Sequence, residues 1–321
     1  MSDHSKIEWT DATWNPVTGC TKVSAGCDHC YIERTPPFRI GGRRFDKPGV
    51  GGSTGVLLHE DRLGQPLSWR KPRRVFVNSL ADLFHEAVPD EYILRVFAVM
   101  ALARRHTFQV LTKRPARMRA LLSKMHPLAI TAEVHREKWV HGVDAGPIVW
   151  PLPNVWLGVS TENQQWADAR IPILIDTPAA VRWISAEPLL GPIDLHGPVD
   201  PRISGRPKLT YWLSGRPGWG ETKPIPGSTM RGRSIEVGPR LDWVVVGGES
   251  GRGARPMHPD WARAVRDQCV RAGAPLDDMG HREVIERMGK KAAGRVLDGR
   301  TWDEYPDTVH AATAAGKDTT S

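Results

Sequence analysis

Three of the four cysteines lie within eleven residues, in the segment Trp14-Asn15-Pro16-Val17-Thr18-Gly19-Cys20-Thr21-Lys22-Val23-Ser24-Ala25-Gly26-Cys27-Asp28-His29-Cys30-Tyr31. Six residues separate Cys20 from Cys27, and two separate Cys27 from Cys30. The shorter spacing lets both sulfurs reach one metal centre, and Gly19 and Gly26 relieve backbone crowding just before two of the ligands. Three thiolates can hold a 4Fe-4S cluster and leave one iron open to an exogenous ligand, whereas an all-cysteine electron-transfer cluster takes four. Zinc is the rival: Cys20, Cys27 and Cys30 with His29, another histidine or Cys269 would complete a tetrahedron. No second pair with zinc-finger spacing occurs in the chain. Redox-active thiols are the remaining alternative. Cys269, inside an expected helix, reads as a buried structural thiol, because a free cysteine commonly packs as a small hydrophobe.

A second set of chemistry-bearing residues follows short apolar runs. These are Asn78-Ser79-Leu80-Ala81-Asp82, Thr112-Lys113-Arg114-Pro115, Ser160-Thr161-Glu162-Asn163, Ser185-Ala186-Glu187-Pro188 and Gly247-Gly248-Glu249-Ser250. The runs before them, rich in Val, Ile, Phe and Trp, are expected strands over Val75 to Asn78, Thr107 to Leu111, Val155 to Val159, Val181 to Ser185 and Trp243 to Val246. Ile7 to Trp14 and Val56 to His59 give weaker strand signals. Helical spacing is clearest between Pro89 and Arg105, Pro115 and Met125, Asn163 and Ile175, and Pro259 and Ala272. Strands alternating with helices imply a parallel sheet with crossover helices. In such sheets, ligands bind where loops converge at the carboxyl ends of the strands. The plainer alternative is that these Ser, Asn and Pro residues cap helices and close turns.

The length of 321 residues suits one large α/β domain or two ordinary ones. With 25% charged and 40% hydrophobic residues, wholesale disorder and fibrous repeats are excluded. Glycine and proline are abundant, at 31 and 27, so long loops are expected. A net charge of +8 suits a polyanionic partner such as nucleic acid without specifying one. Met1 to Thr10 lacks the basic-then-apolar pattern of a secretory signal. The apolar stretch Tyr92 to Ala103 is interrupted by Arg95, so no membrane span and a reducing, cytoplasmic setting are expected. Residues 196–240 read as a basic Gly/Pro-rich insertion carrying Arg202, Arg206, Lys208, Arg216, Lys223, Arg231, Arg233 and Arg240, with Tyr211, Trp212 and Trp219 interleaved. It would either cover a phosphate backbone and stack a base, or form a solvated loop. Residues 1–305 are expected to form one domain, followed over 306–321 by a disordered tail.

Cys27-Asp28-His29-Cys30 is similar to the end of the radical S-adenosylmethionine pattern, in which an aromatic residue precedes the last cysteine and His29 takes that place. The six-residue first spacing departs from the three of the common form. More widely, the chain resembles the phage-associated three-cysteine-motif family, itself similar to radical S-adenosylmethionine proteins. The resemblance rests on Trp14 to Cys20, Phe76 to His85, Leu111 to Pro115, Ser185 to Pro192 and Gly247 to Ser250, and extends over most of residues 5 to 305. The segment after Ala274-Pro275 departs from the family's aromatic strand, while Gly289 to Arg295 and Leu297 to Trp302 agree with it.

The resemblance implies a partial (β/α) barrel of the radical S-adenosylmethionine type. It implies a 4Fe-4S cluster on Cys20, Cys27 and Cys30 and S-adenosylmethionine as second cofactor. The cofactor would be held by His29, Asn78, Lys113, Arg114, Ser160, Glu162 and Glu249, with Glu187 a candidate catalytic residue. Glu249 or Glu162 would take the methionyl ammonium, Lys113 or Arg114 its carboxylate, and Asn78 or Ser160 the ribose. Gly247-Gly248-Glu249 follows the last clear strand rather than an early one, so its plain reading is a glycine turn into a helix. The expected activity is formation of a 5'-deoxyadenosyl radical, with a nucleic acid or nucleotide-derived substrate. An electron donor such as flavodoxin or ferredoxin and a separately encoded three-cysteine-motif partner protein are implied, in a bacterial or phage-infected cell. The competing function is a noncatalytic, zinc- or cluster-stabilised nucleic-acid-binding or adaptor protein.

Overall fold

The computed structural model describes residues 5, 7–136, 146–197, 211–215, 217–221, 233–249, 253–274, 276–278 and 296–306. Its centre is a parallel sheet of seven strands: β1 (Ala12–Trp14), β2 (Arg74–Val77), β3 (Thr107–Thr112), β4 (Val155–Ser160), β5 (Val181–Ala186), β6 (Trp243–Val246) and β7 (Leu276–Asp278). Spatial order follows chain order, and every neighbouring pair is parallel. A doubly wound sheet would reverse at a switch point, so strictly sequential order is the connectivity of an arc of a (β/α) barrel. No pairing between β7 and β1 closes it among the described residues.

The helices are α1 (Asp90–Leu102), α2 (Pro115–Leu122), α3 (Pro127–Arg136), α4 (Gln164–Ile175) and α5 (Pro259–Ala272). Asp90 and Glu91 favour the start of α1, Asn163 caps α4 by accepting from the Trp166 amide, and Gly273 ends α5 in the left-handed region at φ 65°. Their apolar residues, including Ile93, Val96, Phe97, Ile171 and Val265, join Val75, Val77, Val110, Leu157, Val159, Ile184 and Val244 in the main core.

The opposite parity of the same strands supplies Phe76, Trp156, Val181, Trp183, Trp243 and Val245 to a second core, joined by Trp9 from the turn before β1. Side chains alternate across a strand, so each strand sends one set outward to the helices and the other into the concave side. Trp183 packs on Trp9 and Trp243 with ring centroids 5.2 and 5.0 Å away. Gly158 makes room for it: a Cβ there would lie 2.4 Å from the Trp183 ring. Continuing the alternation places Ser160 and Ser185 on this face, with Asn78, Lys113 and Glu187 directly beyond its strand ends.

The expected strands and helices recur with small shifts. Strand β2 stops at Val77 because Asn78 turns to φ 60°, and α1 and α2 end at Leu102 and Leu122, short of the expected limits. Of the segment Ile7 to Trp14 only Ala12–Trp14 is a strand, and Leu57–Leu58 pairs with Val17–Thr18 in a separate antiparallel ribbon. Helix α3 and strand β7 were not among the expected elements. Within the expected insertion, Tyr211–Ser214 is a short helix, and Pro217–Glu221 pairs antiparallel with Arg233–Val237. Arg202, Arg206, Lys208, Arg216, Lys223 and Arg231 lie outside the described residues, as do Ser250, Gly289 to Arg295 and the tail from residue 307.

The packing of Trp183 on Gly158 yields a direct test. The substitution Gly158→Ala should destabilise the fold by about 2 kcal/mol, an overpacking cost. Thermal melting reads this as a fall in Tm of several degrees, and an unchanged Tm would contradict the packing described.

Candidate functional site

The cysteine segment leaves β1 and lies over the carboxyl ends of the sheet. Its first anchor is Gly19, whose amide donates to the Leu80 carbonyl at 2.8 Å and whose φ is 97°. A Cβ at Gly19 would fall 1.7 Å from the Gly55 oxygen, so the close approach requires glycine. The Cys20 amide then donates to Thr54 Oγ1 at 3.0 Å. Cys27 ends the short turn Ala25–Cys27, and its amide donates to the Ser24 carbonyl at 2.9 Å. Cys27 is buried and Cys20 and Cys30 are half-buried; all are free thiols.

The charges of the three cysteines act on one another. Burial pushes the Cys20 thiol up to about 12, with Asp82 adding to the rise, Arg114 opposing it, and the charges of Cys27 and Cys30 adding further. Burial likewise raises Cys30, assisted by Cys27 and opposed by the Ile32 amide, Lys113 and Lys22. Thiolates here would need outside stabilisation, and metal ligation supplies it.

One tetrahedral ion would need its sulfurs about 3.8 Å apart, whereas a cubane binds each thiolate through a different iron and sets them wider. Among the described residues, no three His, Cys, Asp or Glu side chains are gathered as the ligand set of a single ion. The surrounding charge nevertheless suits an anionic thiolate centre, because Lys22, Lys113 and Arg114 all act on these sulfurs. Three cysteine thiols with cationic neighbours are the donor chemistry a 4Fe-4S cluster would require.

Asp82 organises one flank. Its carboxylate accepts from Thr112 Oγ1 at 2.7 Å, the Lys113 amide at 3.0 Å and Arg114 Nη1 at 3.1 Å. Arg114 in turn donates to the Thr21 carbonyl at 3.1 Å and places Nη1 3.8 Å from Cys20 Sγ. The strand-end residues Asn78, Lys113 and Arg114 are thus brought to the cysteine segment. Asn78 Oδ1 accepts from the Val17 amide at 3.1 Å, while its Nδ2 is buried with no hydrogen-bond partner. Thr161 Oγ1, at the end of β4, is also buried without one.

Glu162 and Glu249 both reach the cysteine segment, but through protein partners. Glu162 is fully buried and accepts from Ser24 Oγ at 2.5 Å and Arg170 Nη1 at 2.9 Å, with Lys113 Nζ at 3.8 Å. Glu249 accepts from Arg255 Nη2 at 2.5 Å and faces His29 Nδ1 at 3.7 Å. Burial works to raise the Glu249 carboxyl, but the hydrogen bonds and charge of Arg255 outweigh it and hold the group below the usual carboxylate range. Ser160 is buried, and its carbonyl accepts from Arg170 Nη1 at 2.7 Å. Glu187 Oε2 accepts from Ser185 Oγ at 3.1 Å, and Tyr31 lies near enough to feel Cys30, Glu187 and Cys20. Cys269 is fully buried in α5, within the main core.

Sequence reading passed over Asp82, Arg170, Arg255, Ser24 and Lys22 as site residues. Asp82 stood inside the Phe76 to His85 segment, so its strand-end position was a usable signal. Arg255 offered none, since its contact with Ala25 spans 230 residues.

A family model described as "Protein of unknown function (DUF5131)" matches residues 4–306. No curated protein matches the chain, and no solved structure does. No helix of the described residues is long and apolar enough to cross a membrane.

Breaking the Asp82 hub should be costly. Asp82→Asn removes one of the two carboxylates on the buried Arg114 guanidinium, Glu86 at 3.1 Å being the other, and should destabilise the fold by about 2 kcal/mol. Denaturant unfolding checks this, with the midpoint moving down; an unmoved midpoint would deny Asp82 its central place.

Proposed function

The chain belongs to the DUF5131 family of proteins of unknown function, and from its thiol triad we propose that it is a radical S-adenosylmethionine enzyme holding a 4Fe-4S cluster on Cys20, Cys27 and Cys30. The observation that carries this reading is a segment with three free thiols, beyond the carboxyl end of β1 in a sequential parallel sheet, in which Lys22, Lys113 and Arg114 act on Cys20 and Cys30. When bound, the cluster would supply one electron to S-adenosylmethionine, whose cleavage gives methionine and a 5'-deoxyadenosyl radical able to abstract hydrogen.

The chain's own groups would orient that cofactor. Lys113 would pair with the methionyl carboxylate through Nζ, and Asn78 would donate its unpartnered, buried Nδ2 to a ribose hydroxyl. Ser160 shares the face and the height of this set. Glu162 and Glu249 would offer remaining lone pairs to the ammonium, beside their present partners. Arg114 would act through charge on Cys20, His29 would sit at the rim near Glu249, and Glu187 would face the substrate. The concave side below is filled by Trp156, Trp183 and Trp243, which exclude water from beneath the reacting atoms.

The substrate class we propose is nucleic acid or a nucleotide-derived compound, on the strength of a net charge of +8. The setting would be a reducing bacterial or phage-infected cytoplasm. Reduction would come from a flavodoxin or ferredoxin, and a separate three-cysteine-motif protein is a further proposed partner.

Anaerobic reconstitution with iron and sulfide tests the reading. About four irons per chain, and a paramagnetic signal of the reduced form that shifts with S-adenosylmethionine, are expected. Cys20→Ala, Cys27→Ala and Cys30→Ala should each abolish loading. About one tightly held zinc without a cluster signal would sink the proposal and leave a zinc-stabilised binding protein instead.

A further inference from the structure

The stretch from Ser24 to Asp28, which carries Cys27, is gripped from two strand ends. On the β4 side, Glu162 accepts from Ser24 Oγ at 2.5 Å, and the same Ser24 oxygen lies 3.9 Å from Cys27 Sγ. Gly26 packs against this carboxylate so tightly that a Cβ would fall 2.4 Å from Glu162 Cγ. Arg170 holds the other oxygen of Glu162 at 2.9 Å, so the carboxylate cannot swing away. On the β6 side, Arg255 is locked to Glu249 through Nη2 at 2.5 Å, Nε at 3.0 Å and its backbone amide at 2.8 Å. That guanidinium also donates to the Ala25 carbonyl at 2.9 Å and lies 3.6 Å from Asp28.

We propose that Glu162 and the Glu249–Arg255 pair are positioning residues that hold the cysteine segment in its ligating shape before any metal arrives. A metal-binding loop that is disordered until it binds loses affinity to the entropy of ordering, and a loop already fixed does not. Both grips are charge-assisted hydrogen bonds, the Ser24–Glu162 one buried and the Arg255–Ala25 one open to solvent. Ser24 and Arg255 are therefore two points at which the stretch around Cys27 can be loosened, beside the Lys22 hold on the Asp28 carbonyl. The inference deepens the cluster reading above, yet it concerns the metal-free chain and stands or falls apart from it.

The experiment is alkylation of the full-length, metal-free protein with iodoacetamide, followed thiol by thiol by mass spectrometry. Cys269 serves as internal control, being fully buried in α5 and pushed by burial up to about 12. Ser24→Ala and Arg255→Ala should each speed alkylation of Cys27 by about tenfold, the loss of one charge-assisted hydrogen bond, while Cys269 keeps its wild-type rate. Arg255→Lys, which retains a cation without the fork, should restore part of the protection. Ser24→Ala leaves the Glu162–Arg170 pair intact, so its effect is confined to the segment.

Unchanged Cys27 rates in both alanine variants would overturn the proposal. So would a parallel rise of Cys27 and Cys269, because the effect would then be on the whole fold. If the wild-type chain takes up no iron while the variants loosen Cys27 alone, the cluster reading fails and the positioning role holds. Four irons with unaltered Cys27 rates would give the reverse.

Discussion

Burial of three thiols at one end of a sheet is the constraint around which this structure is arranged. Out of water, a thiolate is costly, and burial is the largest cause of the rise of the Cys20 thiol. The response is a ring of fixed charge in which each cation has a carboxylate to hold it: Asp82 for Arg114, Glu162 for Arg170 and Lys113, Glu249 for Arg255. Each carboxylate stands at or just beyond a strand, where the backbone is rigid. The seven strands thus act less as a core than as a set of posts for charge.

The posts stay put because the sheet is packed on both faces with different chemistry. Aliphatic residues meet the helices, while indole rings fill the concave side and lean on one another at centroid separations of 5.0 to 6.1 Å. Large rings fill the amino-terminal half of the strands on this side, and glycine and serine stand above them. Strand β4 shows the gradient in one line: Trp156, then Gly158, then Ser160.

Much of this was legible in the sequence, for physical reasons. Strands buried on both faces read as largely apolar runs, as Val155 to Val159 and Trp243 to Val246 do, while Gln109 and Arg182 interrupt β3 and β5 without hiding them. Helix α3 escaped because its apolar residues do not share one buried stripe: Ile130 and Val134 are buried, but Leu128 is 72% exposed. Strand β7 escaped because Leu276 is followed by Asp277 and Asp278, a residue type depleted in strands. The cysteines declared themselves by spacing, and the strand-end carboxylates by position. What no spacing could show was their partners, since Ser24 and Glu162 are 138 residues apart and are joined only by the fold.

Those separations carry a consequence for the order of assembly. Every neighbouring strand pair joins stretches consecutive along the chain, so the sheet can grow by successive additions from its amino-terminal side. The cysteine segment breaks that locality, because it emerges early in the chain and its grips come from the fourth and sixth strands. It cannot settle until Arg255 has been synthesised and docked. The stretch around Cys27 therefore gains its last grip only when nearly the whole sheet exists, whereas Cys20 is held earlier through Thr54. A chain truncated or misfolded anywhere along that sheet would carry unsheltered sulfurs, and completion of the site doubles as a check that the rest has been built.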